Sequence, residues 1–196
     1  MQQRCAPLKH PYIIIIRNHT CTHRQRLSRT RDALLEALHA PTPPPAPLLD
    51  ALVDALTADS RPFTPSDIGQ GPWQVVYTRG PLLWRTLAPP GRLLDPSNEF
   101  SQDFDWRQGT VVNRGTLWGG AVALTAQGTY TALGTTLPLR IRATVASGAL
   151  QVGSLLRVPL PICGAGEVDL VYADRDVRVF RQPNGGLAVQ VPRRVS

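Results

Sequence analysis

Two kinds of hydrophobic pattern divide the chain. Between Ser28 and Ala40, Leu34, Leu35 and Leu38 recur at i, i+1 and i+4, a narrow apolar stripe that predicts a helix. Pro41, Pro43, Pro44, Pro45 and Pro47 break it and form a stiff linker. A second helix is predicted from near Pro47, which suits a first helical turn. Leu48, Leu52 and Leu56 lie four apart there, with Leu49 and Val53 beside them, and Asp50 and Asp54 sit early, where the helix dipole favours acids. Both helices are too short to stand alone. From Gly71 onward helical spacing gives way to short β-rich runs between Gly, Pro and Asn turns. Strands are predicted at Trp73–Thr78, Phe100–Trp106, Gly109–Leu117, Val122–Tyr130, Leu137–Ala146, Val168–Ala173, Val177–Arg181 and Leu187–Val191. Pro183-Asn184-Gly185-Gly186 is a hairpin turn, because Asn-Gly tolerates positive φ. Gly80–Glu99 and Gly148–Gly166 read as long loops. The predicted fold class is mainly β: an antiparallel, lipocalin-like barrel preceded by two short N-terminal helices.

Charge changes this picture only at the N-terminus. The net charge is +7. Residues 1–31 hold Arg4, Lys9, Arg17, Arg24, Arg26, Arg29 and Arg31 and no acid, so they carry all of it; the other 165 residues hold 14 Arg and 14 acids. A nucleic-acid-binding domain carries positive charge on its own surface, so nucleic acid is not an expected partner. The basic leader also holds Thr20, Thr22, Ser28 and Thr30, which fits a plastid or mitochondrial transit peptide, or else a disordered basic tail. The predicted organisation is therefore a leader over 1–31, a helical segment with its Pro-rich linker over 32–66, and a barrel over 67–196. No apolar run approaches the ~20 residues of a transmembrane helix, so any membrane association by helices is peripheral.

The sequence offers little for catalysis. His10, His19, His23 and His39 all precede the β region, so no Ser–His–Asp or Cys–His site can form within it from its own residues. Cys5 and Cys21 lie in the leader. Cys163 alone remains, and reads as a small buried hydrophobe. The group His10/His19/Cys21/His23 matches no standard metal spacing, and no metal or cofactor is expected. Asp103 and Asp105 share a strand face, as do Asp174 and Asp176, next to Arg178. A carboxylate pair can do acid–base work when one member is buried, but a solvated turn with ordinary ion pairs is far commoner. Alternation places Trp73, Val75 and Tyr77 on one face. Trp73 would then plug the barrel's closed end and offer its indole face to an Arg from the last strands, with Arg178 as partner.

Gly71-Pro-Trp-Gln-Val-Val-Tyr-Thr78, Asn113-Arg-Gly-Thr-Leu117 and Val168-Asp-Leu-Val-Tyr-Ala-Asp-Arg-Asp-Val-Arg-Val-Phe-Arg181 together resemble the plastid lipid-associated proteins, or fibrillins. The match covers roughly 28–191, and Trp73, Tyr172, Asp174, Asp176, Arg178 and Arg181 fall on the family signature. The resemblance implies a chloroplast location at plastoglobules or thylakoids, no catalytic residues, and binding of carotenoids, quinones or acyl lipids. The Pro41–Pro47 run and the closing Leu187-Ala188-Val189, where an aromatic is usual, depart from the family pattern.

Eight strands enclose an interior just wide enough for side chains or one small ligand. Trp73, Tyr77, Trp118, Leu124, Tyr130, Leu139, Ile141, Tyr172 and Phe180 are the residues expected to line it. The expected function is non-enzymatic, with a hydrophobic small molecule or lipid and a peripheral membrane or plastoglobule surface as partners. The alternative is a side-chain-filled barrel that docks on a membrane or protein complex through Leu82, Leu83, Trp84 and Leu87. An enzyme using Asp174 or Asp176 with Arg178 is the third reading.

Overall fold

A computed structural model describes residues 11–40, 42, 44–58, 61–69, 71–80 and 97–193, with side chains from residue 25 onward. The chain divides into two compact units, Met1–Leu56 and Thr57–Ser196.

The first unit is helical. Helix α1 spans Pro11–His39 and α2 spans Ala46–Thr57. α1 therefore reaches back through most of the basic segment and is not short. No Gly or Pro interrupts the sequence between Tyr12 and Ala40, and Pro11 stands at its start, where its missing N–H costs nothing. In α2 the buried stripe is Leu49, Val53 and Leu56, spaced i, i+4, i+7, while Leu48 is exposed. The expected 48/52/56 row is thus rotated by one position. Among the described residues no helix is long and apolar enough to cross a membrane.

The second unit is built from strands. They are β1 (Arg61–Pro62), β2 (Trp73–Arg79), β3 (Glu99–Asp105), β4 (Thr110–Leu117), β5 (Val122–Ala132), β6 (Thr136–Leu137), β7 (Leu139–Val152), β8 (Leu156–Leu160), β9 (Gly164–Ala173), β10 (Arg178–Arg181) and β11 (Leu187–Pro192). A third helix, α3 (Pro65–Ile68), precedes β2. The main sheet runs β5-β4-β3-β2-β11-β10-β9-β7, and β5 pairs β7 to close it. This is the mainly β, closed eight-stranded antiparallel barrel that the alternation predicts, and its eight strands are the eight expected ones. β1 and β6 form a separate two-stranded clip. The Asn184-Gly185 turn forms as expected, with Gly185 at φ 84° and Gln182 N–H donating to the Gly186 carbonyl at 2.8 Å.

The stretch 148–166 is not a loop. β7 continues to Val152, turns, and returns as β8, which pairs β7 from Val152↔Leu156 to Gly148↔Leu160. β9 resumes the pairing at Val145↔Gly164. Residues 146–147 thus oppose 161–163, a bulge of one residue in a single long hairpin. β5 shifts register against β7 at the same level, between Gln127 and Gly128. The glycines and prolines that look like loop composition are what this bulged ribbon needs. At Gly128 a Cβ would stand 1.8 Å from the Thr144 carbonyl oxygen, so no side chain fits there. Cys163 lies in the bulge and is exposed, not buried, because it leaves the ladder where the edge bends.

The core follows from inward-facing positions. Ile68, Phe104, Val111, Leu137, Leu139, Ile141, Leu170 and Phe180 form its buried cluster. Phe104 meets Tyr130 edge-on at 4.9 Å and stacks with Phe180 at 6.1 Å between centroids.

Candidate functional site: the barrel interior and its base

The base is organised around one cation. Arg178 on β10 is fully buried, and its guanidinium lies 3.7 Å from the Trp73 ring centroid and 5.7 Å from that of Phe104. Trp73 is itself 3% exposed. The pairing of Trp73 with Arg178 is thus the one anticipated. Nη1 donates to the Ile68 carbonyl at the end of α3, while Nε, Nη2 and the Trp73 indole N–H are buried without a hydrogen-bond partner among the described residues. Burial lowers the Arg178 pKa to about 9, against a raising influence of Asp103 and Tyr130. The group is still a cation at neutral pH.

α3 closes this end. Asp67 accepts two hydrogen bonds from Arg61, each 3.1 Å, and one from the Thr64 N–H at 2.8 Å. Arg61 also donates to the Ala173 carbonyl on β9. Burial pushes the Asp67 carboxyl up, but the hydrogen bonds from Arg61 and Thr64 outweigh it, and its pKa falls below 3.8. Gly71, just before Trp73, is where Asp103 comes closest: a Cβ would sit 2.3 Å from its carboxylate oxygen.

Above the base lies a cavity of about 100 Å³. Its wall is mainly apolar, with Phe104, Val111, Ala126, Ile141, Val145, Val168, Phe180 and Ala188 contributing. One side is a chain of amides. Gln190 Nε2 donates to Gln102 Oε1 at 2.7 Å, and Gln102 Nε2 to Asn113 Oδ1 at 3.0 Å. Gln102 and Asn113 are direct cross-strand partners, which fixes the second bond. These amides can orient a polar group, but an amide does not exchange protons near neutral pH.

The expected lining residues scatter over several environments. Ile141 and Phe180 line the cavity. Tyr130 and Leu139 belong to the packed cluster beneath it, where burial, with the Asp105 charge adding, raises the Tyr130 pKa. Trp73 plugs the base. Leu124 occupies an inward-facing position but does not line the cavity. Tyr77 faces outward, because the register shift in the β11–β2 ladder pairs it with Val189, between the cavity residues Ala188 and Gln190. Two more lie elsewhere. Trp118 is 64% exposed, because it sits in a 3-10 turn after β4 with φ 51° and not on a strand. Tyr172 pairs Val179 beside a register shift in β9–β10, and its hydroxyl donates to Asp174 Oδ2 at 2.8 Å.

The motif carboxylates hold a turn. Asp174 Oδ1 accepts the Asp176 and Val177 N–H groups, both at 2.8 Å. Asp176 meets Arg175 at 3.4 Å. Neither lines the cavity, and Arg178 points to the base, so the three groups of the enzyme reading do not converge on one pocket. Arg181, at the end of β10, pairs Asp169 and Leu187 across the ladders. Asp105 caps the β3–β4 turn through the Arg107 and Gln108 N–H groups. The polar lining residues overlooked are Gln102, Asn113, Glu167, Gln182 and Gln190. Period-2 alternation already puts Gln102 on the same face as Phe104, and Gln190 on that of Ala188. A selection by aromatic and leucine content passed over them.

Among the described residues no group of three His, Cys, Asp or Glu could hold a metal. The side chains of His10, His19, Cys21 and His23, and the apolar lip Leu82, Leu83, Trp84 and Leu87, lie outside the described residues. No family model, no curated protein and no solved structure matches the chain.

Proposed function

We propose that this chain is a non-enzymatic, plastid lipid-associated barrel that binds a slender apolar or amphipathic molecule. The observation that carries the reading is the cavity, apolar on most of its wall, with the Gln190–Gln102–Asn113 chain, Gln182 and Glu167 as its polar lining. A few convergent polar groups in an apolar wall are how small-molecule sites fix orientation. About 100 Å³ is well below the ~300 Å³ of a usual ligand site. That favours an acyl or prenyl chain entering end-on over a whole carotenoid or a quinone ring. The plastid location rests on the acid-free basic leader and on the fibrillin-like motifs. The filled aromatic layer below the cavity, Phe104, Tyr130 and Phe180, supports the second reading, a barrel only partly open.

The test is solvent extraction of full-length protein isolated from plastids, followed by mass spectrometry. The expected result is one lipid class in stoichiometric amount. Ala126→Phe, which fills the cavity, should cut recovery several-fold at an overpacking cost of about 1–3 kcal/mol. Native protein that yields no lipid, or equal recovery from a folded Ala126→Phe variant, overturns the carrier reading. A reporter fused to residues 1–31 should enter chloroplasts, and one that stays outside would sink the plastid assignment.

A further inference from the structure

Of the exposed large apolar residues of the barrel unit, Trp106 and Leu133 stand at the opposite end, after β3 and β5. The other five, Trp118, Val152, Leu155, Leu156 and Val158, are 64, 41, 97, 54 and 38% exposed and gather at one end, around the β5–β7–β8 ribbon. The 14 residues of β7 extend about 46 Å. Their outer part, from Gly148, has left β9 and pairs with the free-edged β8. Two turns form its tip, Trp118–Ala121 and Gly153–Leu155. They are held together by the Gly153 N–H donating to the Ala121 carbonyl at 2.8 Å. Trp118 is fixed in its left-handed conformation by its N–H bond to Asn98 Oδ1 at 2.8 Å. The next N–H, of Gly119, binds Ser97 Oγ at 3.0 Å. A bulky residue held at positive φ with its indole in water is a strained arrangement of the kind that marks function.

We propose that this tip docks on an anionic lipid surface, with Trp118 and Leu155 entering the headgroup boundary. Charge identifies the occupant. From Trp106 to Gly166 the sequence contains five Arg and no Asp or Glu. Arg140 and Arg142 are paired with Asp169 and Glu167, whereas Arg157 is exposed on the ribbon itself and Arg114 on the adjoining strand β4. Arg157 is two residues from Leu155, about 7 Å along the strand, within snorkelling reach of lipid phosphates. Tryptophan at such a boundary keeps its ring in the apolar layer and its N–H in the wet one. Continuity points the same way. Cross-strand pairing puts Val122, Val152 and Leu156 in one row and Leu124, Leu150 and Val158 in the next. The row after that contains Ala126, which lines the cavity. One apolar face thus runs from the tip into the barrel. A protein partner adding a strand to the β8 edge is disfavoured, because Pro159 and Pro161 remove donors from that edge and the bulge bends it.

The experiment is flotation of the full-length chain with phosphatidylcholine vesicles, with and without phosphatidylglycerol. The basic N-terminal segment contributes equally to every variant, so the comparison isolates the tip. Wild type should float with the anionic vesicles, and Trp118→Ser with Leu155→Ser should bind roughly tenfold more weakly. Arg114→Gln with Arg157→Gln should bind severalfold more weakly, and the difference should vanish at high salt. Brominated lipids should quench tryptophan fluorescence in wild type, and Trp118→Phe should lose that quenching while still floating. The proposal is overturned by equal flotation of wild type and the serine variant. Unchanged quenching in Trp118→Phe overturns it too. So does a dimer in sedimentation that the serine variant abolishes while vesicle binding is absent, which would make the tip a contact between copies. Docking does not require an occupied cavity, so an Ala126→Phe variant that fails to carry lipid should still float.

Discussion

Replacing Trp73 by alanine in the presence and in the absence of Arg178 isolates the interaction at the barrel base. Trp73 is 3% exposed, so its truncation forfeits burial and opens a cavity, about 3–5 kcal/mol. It also strips the π face from a fully buried cation 3.7 Å away. A desolvated cation–π contact is worth about 2 kcal/mol. Trp73→Ala alone should therefore cost about 5–7 kcal/mol. Arg178→Met removes the charge and two donors that have no partner among the described residues, and leaves the Ile68 carbonyl short of a bond. Replacing a buried charge by an apolar side chain of similar length is often close to neutral, so this variant should lie within about 1–2 kcal/mol of wild type. In the Arg178→Met background Trp73→Ala should cost about 2 kcal/mol less than it does in wild type. The assay is urea unfolding followed by far-UV circular dichroism across the four proteins of the cycle. For the 140 residues of Thr57–Ser196, each kcal/mol corresponds to roughly 3–4 °C in Tm, which gives an independent reading. Additive costs, within about 0.3 kcal/mol, would refute the coupling and reduce the pair to ordinary packing.

Two further outcomes follow from the base and the ribbon. Gly128→Ala should destabilise by about 3 kcal/mol or more, because its Cβ would collide with the backbone of Thr144. Gly119→Ala, at φ 65° in open space, should cost only about 1–2 kcal/mol; equal urea midpoints for the two variants would contradict the bulge geometry. The second outcome concerns pH. The Asp67 pKa is depressed in the fold, so its contribution is present above pH 3.8 and is lost as pH falls through the folded value. Asp67→Asn should cost about 1 kcal/mol at neutral pH. It should also lose less stability than wild type below pH 4, and parallel acid profiles for the two proteins would show that the Arg61–Asp67 clip carries no linkage.

Alternation and turn chemistry fix much of this protein locally. Each of the eight barrel strands, the Asn184-Gly185 hairpin and the Trp73–Arg178 pairing is legible from residues a few positions apart, because the side-chain period of two is a local property. The absence of His after His39 is likewise a fact of composition. Where interior and exterior meet is not local. Tyr172 and Trp118 satisfy the same aromatic pattern as Phe180, yet a register shift turns one aside and a 3-10 turn exposes the other. The Gly- and Pro-rich 148–166 segment looks like a loop, and only its pairing with β5 and β7 makes it a ribbon. Barrel closure also selects Gln102, Asn113 and Gln190, from three different strands, as the polar side of one cavity. The sequence by itself therefore determined the positions of the strands, the plug and its cation, and the absence of histidine from the barrel. The tertiary structure decided which inward residues meet, how much space they leave, and which apolar residues remain in water, because those depend on register and bulges between strands far apart in the chain.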